Sequence, residues 1–184
     1  MMISEQLKSQ TKELHDKVEA SLNSNRIFDQ TYTIDDYKNL LKQNALLIAK
    51  YEQAAIEVLN GELGTPLELE KRVKAEVMQS ELENLGLQYD PSVKQDTEGI
   101  SAAKALGILY VIEGSTLGGN VIARALSKNE AFKDVTFNYF SFYKDQTGPM
   151  WTKFKTVLDE YVTSEEAKQE CIDGANLAYG TLLN

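Results

Sequence analysis

The run Ile108-Leu109-Tyr110-Val111-Ile112-Glu113-Gly114-Ser115-Thr116-Leu117-Gly118-Gly119-Asn120-Val121-Ile122 decides how this chain is read. It is apolar at both ends, contains no Pro and reads as helix, yet three glycines stand in its middle. Each costs about 1 kcal/mol relative to Ala in a helix interior. Gly114 and Gly118 are four apart and share one face, with Gly119 beside them. Backbone is bare there over more than a turn. The spacing predicts the floor of a site, against which something flat or bulky can press.

Outward from this run, apolar residues recur at helical spacing and no segment alternates with period two. Ser4 is placed to cap a first helix over about residues 5–23, with Leu7, Leu14, Val18 and Leu22 facing the core. Thr33, followed by Asp35 and Asp36, starts a second helix to about residue 59, stopped by Asn60-Gly61. Thr65-Pro66-Leu67-Glu68 reads as a strong start of a third, ending near Gly86, with Leu69, Val73, Val77 and Leu82 as its stripe. A loop over 87–97 leads into the glycine helix, about 98–127. Residues 129–148 read as irregular and aromatic-packed. Two more helices follow, about 149–162 and, from Ser164, about 164–183. The expected fold is all-α, a single domain over residues 1–184 with six or seven helices.

The totals exclude several classes. A chain of 184 residues, 42% hydrophobic, suits one domain with a real core. A net charge of −9 repels phosphate, so no nucleic acid partner is expected. The lone cysteine, Cys171, cannot form an intrachain disulfide and fits a reducing compartment. No leader pattern stands at Met1-Met2-Ile3-Ser4, and no uninterrupted apolar run nears a membrane span. A cytoplasmic protein is expected.

The chemistry available is narrow. His15 is the only histidine. It sits beside Leu14, at the edge of the first helix's buried stripe. Lys8 is seven residues earlier and Glu19 four later, both on its side of a continuous helix. An imidazole that ligates a metal normally donates its other ring N–H to a carboxylate or carbonyl, and Glu19 is placed for that. One His and one Cys cannot build a structural zinc site, and a single His cannot supply a di-iron bundle. The glycines form neither a nucleophile elbow nor a phosphate loop. One arrangement uses both oddities: a haem bound to iron through His15, lying against the bare glycine face, its propionates met by Lys8 and Lys12. With one protein ligand its sixth position stays open, which suits O2 chemistry.

Leu7-Lys8-Ser9-Gln10-Thr11-Lys12-Glu13-Leu14-His15, with Glu19 beyond, resembles the proximal helix of haem oxygenases. Tyr110 through Gly119 resembles their distal helix, most closely in the bacterial, biliverdin-producing branch, and Tyr143 through Phe154 resembles a later helix of that branch. The resemblance implies that haem is both cofactor and substrate. It is opened by O2 and electrons from an external donor to biliverdin, Fe2+ and CO. It further implies His15 as the proximal iron ligand, Glu19 beside it, Lys8 at a propionate, and Gly114, Gly118 and Gly119 along the distal face; Lys12 and Tyr110 are expected against the haem beside them. Animal members carry Asp where this chain has Ser115; there it orders the water that delivers a proton. Ser115, distal carbonyls or Asn120 are then expected to hold that water, with Ser115, Gly114 and Gly118 as the catalytic positions. Other readings stand beside this one. They are a haem carrier or sensor that does not degrade its ligand, a related helical enzyme of another small molecule, and an interaction domain whose glycines only permit close packing.

Overall fold

Amphipathic helices are stable only when their apolar stripes meet a partner, and here they meet around one apolar helix in the middle. The computed structural model describes residues 1–93 and 98–184. Among them no strand occurs. The helices are α1 (Ile3–Gln10), α2 (Lys12–Ser21), α3 (Ile34–Leu47), α4 (Gln53–Leu59), α5 (Gly64–Leu67), α6 (Ala75–Asn84), α7 (Ala102–Leu126), α8 (Thr147–Tyr161) and α9 (Glu165–Leu182). With α1–α2 and α3–α4 each taken as one interrupted helix, this is the expected all-α architecture of 7 helices among the described residues.

The glycine helix α7 is the centre, lying against α4, α8 and α9. From Ala103 to Glu113 every residue except Lys104 is buried. Two glycines outside the quoted trio set its closest contact. A Cβ on Gly107 would stand 1.8 Å from the Cys171 carbonyl oxygen, and one on Gly174 would stand 2.1 Å from that of Lys104. Each helix therefore presses a glycine into the other's backbone where α7 crosses α9. α7 is long and apolar enough to pass a membrane-span test by length and composition alone, as a largely buried core helix does. Lys104, Glu113 and Arg124 are its only charges.

Three other expectations change. The first helix is broken at Thr11, where the backbone leaves helical geometry. The Thr11 hydroxyl, buried, donates to the Leu7 carbonyl at 2.7 Å. Ser4 is not the cap; Met2 is. Ser4 instead gives its N–H and hydroxyl to the Asp159 carboxylate on α8, at 2.8 and 2.7 Å, which ties the N-terminus to that helix. The second helix starts at a Thr33/Asp36 capping box as expected, but winds through a π turn, Ile48–Glu52, before α4. That turn carries the buried Glu52.

The expected third helix is the largest departure. Only one turn, α5, forms at Thr65-Pro66; Glu68 takes a left-handed conformation (φ 51°), and the long helix does not begin until Ala75. Val73, expected in the stripe, is 46% exposed. The cause is tertiary. Arg72 and Lys74 are 1% and 0% exposed and turn inward to bind Glu113 of α7, which a continuous helix would not permit. The aromatic segment does pack as expected: Tyr37 of α3 meets Phe137 and Phe132 at 5.3 and 5.8 Å between ring centres. Glu81 of α6 accepts from the Tyr37 hydroxyl and the Tyr139 N–H, which pins that segment beneath α7. In the expected loop, residues 94–97 lie outside the described residues.

Candidate functional site

The glycines of the quoted run divide by what stands opposite them. A Cβ on Gly118 would meet nothing within 4 Å, and one on Gly114 would meet only the Trp151 ring, at 3.8 Å. These two positions leave open backbone. Gly119 is turned inward: its Cβ would stand 2.4 Å from the Phe140 ring. The bare strip is thus Gly114 and Gly118, while Gly119 lets α7 settle on Phe140. Leu117 and Val121 of the same helix are exposed, so apolar side chains as well as open backbone reach the surface along this stretch.

His15 stands on α2, with 52% of its side chain exposed. Its Nε2 is 3.8 Å from Glu19 and its Nδ1 is 3.8 Å from Asp16, both too long for a firm hydrogen bond. No tight partner claims either ring nitrogen, so one is available to a ligand while a carboxylate waits at the other. The ring meets Tyr179 of α9 edge-on, 6.2 Å between centres. Tyr179 is an electrostatic neighbour of Tyr110, whose ring lies 5.4 Å from that of Trp151, and Trp151 reaches Gly114. Aromatic rings therefore connect the His15 side to the glycine strip. Burial pushes the Tyr110 phenol up to about 12, so it acts as a neutral hydroxyl.

The expected cations are placed unevenly. Lys12 is exposed and paired with Asp16 at 2.5 Å. Lys8 is exposed in the last turn of α1, across the interruption at Thr11 from His15, and the bonds from Thr11 N–H to Leu7 and from His15 N–H to Thr11, 2.9 Å each, carry the chain across it. Lys155 of α8, which belongs to no sequence motif, holds its ammonium 5.8 Å from the Trp151 ring centre.

Beneath the strip lie two polar systems. Ser115, half-buried, donates its hydroxyl proton to the Ile112 carbonyl at 2.6 Å and lies 3.3 Å from the Tyr139 hydroxyl. Glu113, one residue before Gly114, is 1% exposed. It takes Arg72 and Lys74 at 2.5 Å each, and the Tyr143 hydroxyl donates to it at 2.8 Å. Burial works against its charge, but Lys74 and Arg72 outweigh that and hold the carboxyl below its usual range. Glu52 accepts from the backbone N–H groups of Lys74 and Ala75, yet burial dominates and raises it to about 7.

Tyr179, Trp151, Lys155 and Tyr139 were missed as site residues from sequence. Trp151 carries a weak signal as the only tryptophan. The others carry none, because the α7–α9 crossing and the Glu81 clasp bring them in.

Comparison with known proteins gives the family and the fold. The profile of the family described as "Heme oxygenase" matches residues 1–183. A heme oxygenase of Xanthomonas campestris pv. campestris (strain 8004) is 32% identical over 145 residues, covering 79% of this chain and 85% of that protein. The NO- and CO-bound heme oxygenase of Neisseria meningitidis superposes with a TM-score of 0.72 at 22% identity, covering 99% of this chain and 88% of that one. Heme oxygenase 2 of Chlamydomonas reinhardtii, solved without heme, also gives 0.72, at 17% identity, covering 98% and 94%. At those identities the two structures speak to the fold, and the whole-length match together with the Xanthomonas relative speaks to the family. This chain belongs to the haem oxygenase family, the all-helical enzymes of haem degradation.

Proposed function

We propose that this chain opens haem with O2 and electrons from an external donor to biliverdin, Fe2+ and CO, with His15 as the ligand to iron. The observation that carries the reading is the pairing of an unclaimed, half-exposed imidazole on α2 with open backbone at Gly114 and Gly118 on α7. A flat macrocycle fits such a strip because no Cβ stands over it. Bound there, haem supplies the iron at which O2 is reduced and the porphyrin edge that is opened.

The chain's own residues then have distinct tasks. His15 would give one ring nitrogen to iron, and Glu19 would accept a hydrogen bond from the N–H of the other, which fixes the tautomer. Tyr110, Trp151 and Tyr179 exclude water from the aromatic side. Lys8, Lys12 and Lys155 are the cations for the propionates. Lys12 must leave Asp16 to do so, and since exposed pairs of this kind contribute little, the exchange costs little. Gly119 supports the floor through Phe140. Ser115, half-buried and next to Gly114, supplies a hydroxyl at the open strip to hold the water that carries the proton. Among the described residues, a Cβ at Gly114 or Gly118 meets no carboxylate or imidazole within 4 Å.

Hemin titration tests this. The parent protein should give a sharp Soret band at one equivalent. His15→Ala should weaken binding at least tenfold or shift the band, and an unchanged spectrum and affinity would remove His15 from the role. Ascorbate or a reductase under air should then turn the bound haem into biliverdin. Haem that persists through that treatment would make the protein a carrier or sensor.

A further inference from the structure

Ser115 has one proton and two lone pairs, and the structure accounts for most of them. The proton goes to the Ile112 carbonyl at 2.6 Å. The Tyr139 hydroxyl, 3.3 Å away, sits on a side chain with no exposed surface. Its only hydrogen-bond partner among the described residues is Ser115, so the phenol proton must point at the serine oxygen or be left unpaired in the core. Burial raises the Tyr139 phenol far above its ordinary range, which keeps that proton in place. Tyr139 cannot turn away, because its backbone N–H is held by Glu81 and its neighbour Phe140 is locked against Gly119.

One lone pair of Ser115 remains. Ser115 follows Gly114 directly and precedes the open Gly118 by one turn, and its side chain is only half-buried. We propose that Tyr139 is a positioning residue for this site: by donating to Ser115 it fixes that hydroxyl as a pure hydrogen-bond acceptor toward the glycine strip. A free serine would rotate and offer water either a proton or a lone pair. Clamped between Ile112 and Tyr139, it offers only the lone pair, as a carboxylate would, and does so without a charge. Water on the strip is then oriented with one O–H toward Ser115 and the other toward the substrate. This inference rests on the haem reading of the strip.

Two measurements test it. The first uses haem-free protein. Ultraviolet resonance Raman reports whether a tyrosine hydroxyl donates or accepts, and the difference between parent and Tyr139→Phe isolates this residue. A donor signature that is lost in Ser115→Ala is expected; an acceptor signature would overturn the assignment without touching the haem reading. The second uses the ferric hemin complex, whose absorption changes with pH as the water on its open face loses a proton. An acceptor stabilises the protonated water. Tyr139→Phe and Ser115→Ala should therefore each lower the spectral midpoint by about half a pH unit or more, the scale of one hydrogen bond to a titrating group. Ser115→Asp should raise it. Hemin affinity of Tyr139→Phe should stay within about threefold, because that side chain is buried and touches neither the iron ligand nor the strip. An unmoved midpoint in Tyr139→Phe with normal hemin binding would overturn the positioning role. Failure of the parent to bind hemin at all would instead overturn the haem reading, and this use of Ser115 with it.

Discussion

At the scale of single residues, Glu113 shows how strongly the floor of the site depends on charge hidden below it. Its carboxylate answers two fully buried cations, Arg72 and Lys74. Arg72 also donates to the Leu67 carbonyl at 2.6 Å and the Met150 carbonyl at 3.1 Å, so one guanidinium joins α5, α7 and α8. A buried pair adds little net stability over an apolar replacement, but breaking it from one side leaves an unpaired charge in the core. Glu113→Ala should therefore cost about 3–5 kcal/mol in urea unfolding. Glu113→Gln, which retains the shape, should cost less. His15 is the opposite case. Half-exposed and weakly held, it should be replaceable by Ala with a stability change within about 0.5 kcal/mol, so that lost hemin binding in that variant reports ligation and not unfolding.

At the scale of elements, α7 carries glycines of two kinds, and substitution separates them. Gly107→Ala drives a methyl into the backbone of α9 at Cys171 and should destabilise by about 3 kcal/mol or more, since backbone cannot move as a side chain can. Gly118→Ala meets open space. It should leave stability unchanged or raise it by up to about 1 kcal/mol through helix propensity. If the strip is where haem lies, the same methyl should reduce hemin affinity. Thermal melts and hemin titrations on both variants decide it: stability lost at Gly107 and binding lost at Gly118 is the expected pattern. The sequence ranks these positions the wrong way round. Gly114, Gly118 and Gly119 stand out by clustering, whereas Gly107 is isolated and looks ordinary, yet it has the tightest contact in the helix. The Arg72–Lys74 stretch misleads similarly, because its capping pattern is satisfied by one turn and then overridden by the pull of Glu113.

At the scale of the molecule, the buried carboxylates give stability an uneven pH dependence. Glu52 is raised to about 7 by burial, from an ordinary value of 4.5. Below 4.5 it is neutral whether the chain is folded or not. Between 4.5 and 7 the unfolded chain ionises it and the folded chain does not, so stability falls as pH rises through that window. The loss attributable to Glu52 is on the order of 3 kcal/mol and levels off above 7. Glu113 acts in the other direction. Its folded value lies below the ordinary one, so its contribution is present above about 4.5 and lost as pH falls further. Urea unfolding at pH 5 and pH 8 should show Glu52→Gln gaining on the parent toward pH 8. A constant difference across that range would mean that Glu52 is ionised in the core.

What the sequence determines by itself is local. Helical periodicity, the Thr33/Asp36 and Ser164 starts and a helix with bare backbone are all legible, because each depends on residues within a turn or two of each other. His15 is legible as the only imidazole, and the resemblance of its surroundings to a known proximal helix points to the family before any coordinates do. What only the tertiary structure decides is which groups meet. The inward turn of Arg72 and Lys74, the α7–α9 glycine crossing and the Tyr139–Ser115 contact each join residues far apart in the chain or answer a partner that is. Their energies come from burial and from satisfying polar groups away from water, and those terms take a value only once the helices are packed.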